Sequence, residues 1–146
     1  MRTISAKRIP NSARVVIDTN VIVSALVFGG KPRKVIDLVA DDAVELVVAE
    51  EMLTEVRRII TNKFPEFLVD LAKLEKLLEV DAIWVKLGFV AISASRDADD
   101  DKFIEAAVVG DCQYIVSGDK DLLDLRLYKN IQIINPTDFL ELVGLS

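Results

Sequence analysis

Four carboxylates stand where a carboxylate can do more than solvate a surface: Asp18, Glu55, Asp100 and Asp119. Asp18 closes the β-branched run Arg14-Val-Val-Ile, and Asp119 follows the run Tyr114-Ile-Val-Ser117. Both read as acids at the carboxyl end of a strand, which is where parallel sheets bind their ligands. Each also precedes an apolar helical segment, so for either residue alone a helix cap is the simpler explanation. Glu55 lies three residues after Met52 and four before Ile59, beside an apolar stripe, and pairing with Arg58 on a solvated face accounts for it equally well. Asp97, Asp99, Asp100 and Asp101 open a further helix, where the helix dipole favours each acid by roughly 0.3–1 kcal/mol. Asp100 differs from its neighbours. It precedes Phe103, Ile104 and Ala107 at helical spacing and so shares the buried stripe. A carboxylate on a buried face needs a partner, and a metal ion is one such partner.

Composition restricts that partner. The chain of 146 residues has no histidine and one cysteine, Cys112. No intramolecular disulfide is available, and a structural zinc site lacks its usual ligands. Oxygen ligands remain, and these suit hard cations such as Mg²⁺ or Mn²⁺. With 24 acidic and 18 basic residues the net charge is −6, which by itself argues against a nucleic-acid partner. Four acids gathered around bound cations would account for four of those six charges. Candidate cations for an anionic substrate are Lys31, Arg33, Lys34, Arg96, Lys102 and Lys120, each of which singly reads as solvated surface charge. Phe28-Gly-Gly-Lys31 lacks the spacing of a phosphate-binding loop.

The elements that must position these acids alternate between two periodicities. Strands are expected at Arg14–Asp18, Val44–Ala49, Trp84–Val85, Tyr114–Ser117 and Ile131–Ile134, with an extended run near Val90. Helices are expected at Thr19–Val27, from Pro32 to about Asp42, and over Glu50–Asn62, Phe64–Val80, Asp97–Val109, Asp119–Leu125 and Pro136–Val143. Strands alternating with helices imply an α/β fold with a mainly parallel sheet. One domain is expected over residues 14–146, after a flexible basic tail at residues 1–13. No apolar run reaches the ~18 residues that span a bilayer, and Met1–Ala13 lacks the apolar core of a secretory signal. A cytoplasmic protein is the simplest reading.

The ordered segments carry a resemblance. Val15-Val-Ile-Asp-Thr-Asn-Val-Ile-Val-Ser-Ala-Leu26, Leu53-Thr-Glu-Val56, Asp97-Ala-Asp-Asp-Asp-Lys-Phe-Ile104, Tyr114-Ile-Val-Ser-Gly-Asp-Lys-Asp-Leu-Leu123 and Asn135-Pro-Thr-Asp-Phe-Leu140 together resemble the PIN-domain family, in particular its bacterial and archaeal toxin-like branch. The resemblance implies a three-layer fold, a twisted parallel sheet flanked by helices, with an acidic pocket for Mg²⁺ or Mn²⁺. It implies cleavage of RNA phosphodiesters, and in toxin–antitoxin pairs a partner protein that blocks the pocket. By position it assigns the catalytic acids to Asp18, Glu55, Asp100 and Asp119, with Asp18, Asp100 and Asp119 as metal ligands and Glu55 ligating a second ion or orienting water. Asp101 stands as the alternative to Asp100, and Asn20 and Ser117 match polar positions that orient such acids. Dimerisation is a recurrent property of the branch. The apolar helix Phe64–Val80 offers an interface, although core packing explains its stripe equally well.

Other acid-based sites fit less well. A receiver-like phosphoacceptor needs an aspartate after its central strand, whereas the second strand here ends Val47-Val-Ala49. A haloacid-dehalogenase-like phosphatase needs an aspartate two residues after the first, and position 20 is Asn. The rival from a different class is a PIN-fold binding or assembly module with little or no hydrolysis.

Overall fold

A computed structural model of the protein describes residues 13–95 and 97–144. Residues 1–12, nearly all of the expected tail, and Arg96 lie outside the described residues. Ala13, placed in the tail by sequence, is buried at the start of the core.

Six strands form one sheet in the order β3-β2-β1-β4-β6-β5. They are β1 (Arg14–Ile17), β2 (Glu45–Val48), β3 (Ile83–Trp84), β4 (Tyr114–Val116), β5 (Leu127–Tyr128) and β6 (Ile131–Ile134). All neighbours pair parallel except β5 with β6. The β-branched run at the chain start therefore becomes a central strand, with Val15, Val16 and Ile17 wholly buried. A strand covered on both faces needs no polar alternation. Its residues still alternate in direction. Val15 and Ile17 join one core, and Val16 joins another with Val47, Ile115 and Ile133.

The helices are α1 (Thr19–Val27), α2 (Gly30–Ala40), α3 (Glu50–Lys63), α4 (Leu68–Asp81), α5 (Asp101–Val109), α6 (Lys120–Leu123) and α7 (Pro136–Leu142). The buried apolar residues of α1, α2, α4 and α7, and of α3 apart from Met52, belong to the first core; Met52 joins those of α5 and α6 in the second. The sheet thus lies between two helical layers, as expected. On α3 the stripe Met52, Leu53, Val56 and Ile60 is buried. On α4 the stripe Leu71, Leu74 and Leu78 enters the core, while Val69 and Val80 stay exposed. Gly110 lets the end of α5 close onto β2: a Cβ there would lie 2.7 Å from Val47 Cγ1, closer than packed side chains tolerate.

Several boundaries differ from the sequence expectation, each for a local reason. The segment expected as one helix from Asp97 begins with a 3₁₀ turn at Ala98–Asp100, because the Asp97 side chain takes the Asp99 N–H. Pro65 opens a 3₁₀ turn ahead of α4. Helix α2 starts two residues before Pro32, at Gly30, behind Gly29 with φ of 73°. Asp119 and Ser117 lie just outside α6 and β4. Strand β3 sits one residue earlier than expected. The extended run near Val90 is a bend, because the N–H groups of Gly88, Phe89 and Val90 all turn to the carboxylate of Glu105. The two-residue edge strand β5 carries no readable alternation and is absent from the sequence expectation.

Candidate active site

The register of the central strands builds the site. Ile17 pairs with Val116, so the next residues, Asp18 and Ser117, emerge side by side at the carboxyl edge of the sheet. The Asp18 N–H donates to Val116 O at 3.0 Å, and the Ser117 N–H donates to Ile134 O at 3.0 Å. Asp18 is 2% exposed. Its Oδ1 accepts from the Val21 N–H at 2.9 Å and caps α1. Its Oδ2 accepts a short hydrogen bond from the Ser117 hydroxyl. The cap and the site are therefore the same carboxylate. Burial raises the Asp18 pKa; the hydrogen bonds from Ser117 and Val21 oppose that rise, and the nearby Asp119 carboxylate adds to it.

Ser117 couples two acids. Its Oγ accepts from the Asp119 N–H at 2.9 Å while its hydroxyl serves Asp18. Asp119 caps α6 through Oδ1, which accepts from the Asp121 N–H at 2.8 Å.

Asp100 ends the 3₁₀ turn ahead of α5 and is 8% exposed. Its Oδ2 is buried and has no hydrogen-bond partner among the described residues. Burial, then the Asp119 carboxylate through its charge and through a side-chain hydrogen bond, then the charges of Asp97 and Asp18, push its pKa up to about 7. Asp101 does something else. Its Oδ1 accepts from the N–H groups of Ala94 at 3.3 Å and Ser95 at 2.8 Å, which ties down the preceding loop.

Glu55 reaches the same region from α3. Its Oε2 lies 3.0 Å from Lys102 Nζ and 3.9 Å from Arg58 Nη2. Burial pulls its pKa up, but the adjacent Thr19 hydroxyl and the two cations outweigh that and leave it lowered. That hydroxyl is buried, and among the described residues no group stands in good hydrogen-bonding geometry to it.

Asp18, Glu55, Asp100 and Asp119 line one cavity of about 190 Å³, together with Thr19, Asn20 and Lys102. Asp101 is not among its lining residues. Asp97 and Asp99 also line it, and Asp97, Asp100 and Asp121 place one carboxylate oxygen each within 4.8 Å of one another. Sequence reasoning assigned Asp97 and Asp99 to the helix dipole and passed over Asp121. The available signal was spacing: Asp97 precedes Asp100 by one turn, and Asp121 follows Asp119 by two residues. Of the six candidate cations, Lys102 lines the cavity. Arg33 pairs with Asp37 on α2, Lys120 pairs with Asp124, Lys31 and Lys34 are not among the lining residues, and Arg96 is outside the described residues.

The donor set is all oxygen, and Asp100 Oδ2 is buried with no hydrogen-bond partner among the described residues. Such an arrangement fits a hard divalent cation, and its charge would offset the repulsion that the clustered acids impose on one another.

Comparison with known proteins bears on this geometry. The profile of the PIN domain matches residues 14–121. The uncharacterized protein MJ1680 of Methanocaldococcus jannaschii is 32% identical over 117 residues, spanning 77% of this chain and 75% of that protein. Among solved structures, a chain of VapBC2 from Rickettsia felis, crystallised bound to a DNA fragment from its promoter, superposes with a TM-score of 0.56. That match covers 84% of this chain and 98% of the other at 10% identity, which is a likeness of fold.

Proposed function

The chain belongs to the PIN-domain family, and on that premise we propose that it is a Mg²⁺- or Mn²⁺-dependent endoribonuclease, the toxin of a toxin–antitoxin pair. The observation that carries the nuclease reading is the convergence of Asp18, Glu55, Asp100 and Asp119 on one cavity, with Asp100 Oδ2 buried and without a hydrogen-bond partner among the described residues. Asp18, Asp100 and Asp119 would hold the cation, with Asp97 and Asp121 close enough to Asp100 to extend the site. A bound divalent ion supplies charge neutralisation at the phosphodiester and lowers the pKa of a water.

The chain's own groups supply the rest. Ser117 holds Asp18 and the Asp119 backbone in a fixed relation through its two hydrogen bonds. The caps on α1 and α6 fix one oxygen of Asp18 and one of Asp119. Preorganised acids of this kind need no rearrangement during reaction. Asn20 lines the cavity and is exposed, placed to meet the substrate. A cognate antitoxin is part of the reading; its support is the fold shared with a chain of VapBC2. No helix among the described residues is long and apolar enough to cross a membrane, in keeping with action on RNA in the cytoplasm. A homodimer would draw on the exposed Val69 and Val80 of α4.

Labelled RNA incubated with the full chain and Mg²⁺ or Mn²⁺ tests the activity. Cleavage should require the ion, stop with EDTA, and fall by at least about 100-fold in Asp18→Asn, because losing a ligand costs more than losing an outer-sphere partner. Cleavage that survives both EDTA and the substitution would overturn the metal-carboxylate mechanism. Ion-dependent RNA binding without cleavage would instead mark a PIN-fold binding module.

A further inference from the structure

One cationic side chain among the described residues lines the acidic cavity, and an acid of the same cavity holds it there. Lys102, the second residue of α5, places Nζ 3.0 Å from Glu55 Oε2 on α3. Both side chains are about three-quarters covered, at 23% and 25% exposure. The Phe103 ring lies 5.1 Å from the ammonium. Arg58, the other cation near Glu55, is 3.9 Å away and 67% exposed. An exposed ion pair is usually of little consequence. This one bridges two helices inside the site, and it leaves two of the three ammonium donors uncommitted to Glu55.

The geometry points to Lys102 as the group that contacts the scissile phosphodiester, with Glu55 as the positioning residue that aims it. This inference rests on the nuclease reading above and narrows it: it removes Glu55 from the metal ligands and gives it the ammonium as its partner. The physical need is plain. The cavity is lined by Asp18, Asp97, Asp99, Asp100 and Asp119, and a phosphodiester entering it brings more negative charge. A fixed ammonium next to the acids offers a donor to a non-bridging phosphate oxygen in partly desolvated surroundings, where it is worth more than in water. Lysine suits the task as a compact point charge. No bond to Lys102 forms or breaks, and its proton stays on Nζ.

The test uses the full chain and two probes. A fluorescein-labelled, single-stranded 2′-O-methyl oligonucleotide reports binding by anisotropy in Mn²⁺ across a salt series, and an all-ribose oligonucleotide reports cleavage. Mn²⁺ binding is followed separately by electron paramagnetic resonance, and circular dichroism checks that each variant folds. Lys102→Met should weaken oligonucleotide binding about 10-fold and reduce the log–log salt slope by about 0.7, one phosphate contact on a single strand. It should lower kcat by about 100-fold with Mn²⁺ affinity unchanged. Lys102→Arg should recover most of the binding. Glu55→Gln should lower kcat with little change in KM or Mn²⁺ affinity, and should add nothing in the Lys102→Met background, as expected for two residues acting as a unit. Wild-type binding and salt slope in Lys102→Met, and again in Lys102→Gln, would overturn the inference. So would loss of Mn²⁺ affinity in Glu55→Gln, which would return Glu55 to the ligands. A wild-type chain that binds the oligonucleotide but cleaves no RNA would overturn the nuclease reading and leave Lys102 to be judged by the binding arm. A chain that does neither would overturn both.

Discussion

Asp100 and Glu105 stand five residues apart along the same segment, and each is more than nine-tenths covered, at 8% and 9% exposure. The protein treats them oppositely. The Glu105 carboxylate accepts three backbone N–H groups, from Gly88 at 2.8 Å and from Phe89 and Val90 at 3.2 Å each. Asp100 faces Asp119, Asp97 and Asp18, and its Oδ2 has no partner among the described residues. A buried carboxylate is costly unless it is hydrogen-bonded or paired. Glu105 meets that requirement from within the fold and organises a loop. Asp100 does not, so the fold tolerates a local cost at one end of the sheet. Buried acids here therefore divide by what surrounds them: Glu105 meets backbone amides, and Asp100 meets like charge.

Substitution at the two positions separates these roles, and the largest effect is expected at Asp100. Asp100→Asn removes one charge from the acid cluster while keeping the side-chain shape. RNA cleavage should fall by at least about 100-fold, yet the metal-free protein should melt at a higher temperature than wild type, since the like-charge repulsion is relieved. A fall in melting temperature in EDTA would mean that Asp100 is structurally satisfied and that its contrast with Glu105 is false. Glu105→Ala should do the reverse. It leaves three amides at a covered site without their acceptor, and such groups cost about 1–3 kcal/mol each when dry. Solvent reaching the loop recovers part of that, so a destabilisation of about 3 kcal/mol is expected in urea unfolding, with the per-molecule cleavage rate of the folded fraction within a few-fold of wild type.

The next effect is one of pH. Asp100 titrates at about 7 in the folded chain against an ordinary value of 3.8. Between those values the folded state holds a proton that the unfolded state has released. The stabilising contribution is thus complete below about 4 and is lost as pH rises through 7. Asp18 shifts in the same direction. Glu55, whose pKa is lowered, contributes stability above its unfolded value and loses it only as pH falls further. In EDTA, the melting temperature should therefore decline between about pH 5 and 8 more steeply in wild type than in Asp100→Asn. Mn²⁺ affinity should run the other way and rise over the same window, because the ligand must shed its proton to bind. Parallel melting profiles for the two proteins would remove Asp100 as the titrating group.

The contrast between Asp100 and Glu105 was half legible in the sequence. The alternation of strand and helix was readable because both periodicities are strong. β1 is β-branched from Val15 to Ile17, and α3 carries an unbroken stripe. Asp18 was readable as a strand-end acid, and Asp100 by its register with Phe103, Ile104 and Ala107. Glu105 was not readable as buried, because its partners lie on a loop at Gly88–Val90 that periodicity suggested was extended. Asp97 and Asp99 were hidden by a sufficient local explanation, the helix dipole, which says nothing about what else the side chains face. The pairing of Glu55 with Lys102 spans 47 residues, and sequence offered Glu55 a nearer partner in Arg58. What escaped at Glu105 and at Glu55 was long-range: contacts between elements whose own patterns were already explained.

The smallest effect belongs to the neighbour that sequence left as the alternative third acid. Asp101 is the same residue type as Asp100 and takes the next place in the chain, but its Oδ1 serves Ala94 and Ser95 N–H groups, and it opens α5. It is thus a partial copy of Glu105, with two amides in place of three among the described residues and more solvent around it. Asp101→Asn keeps an oxygen that can accept from those amides and gives up the charge on it, along with the helix-dipole interaction, a loss of about 1 kcal/mol. Cleavage should change by less than about 3-fold, and hydrogen exchange at Ala94 and Ser95 should accelerate with little change elsewhere. A loss of cleavage as large as that in Asp100→Asn, with Mn²⁺ affinity lost as well, would exchange the roles of the two residues. The expected gap between adjacent aspartates is the narrowest test of the contrast, because the residue type is the same and the surroundings of the carboxylate differ.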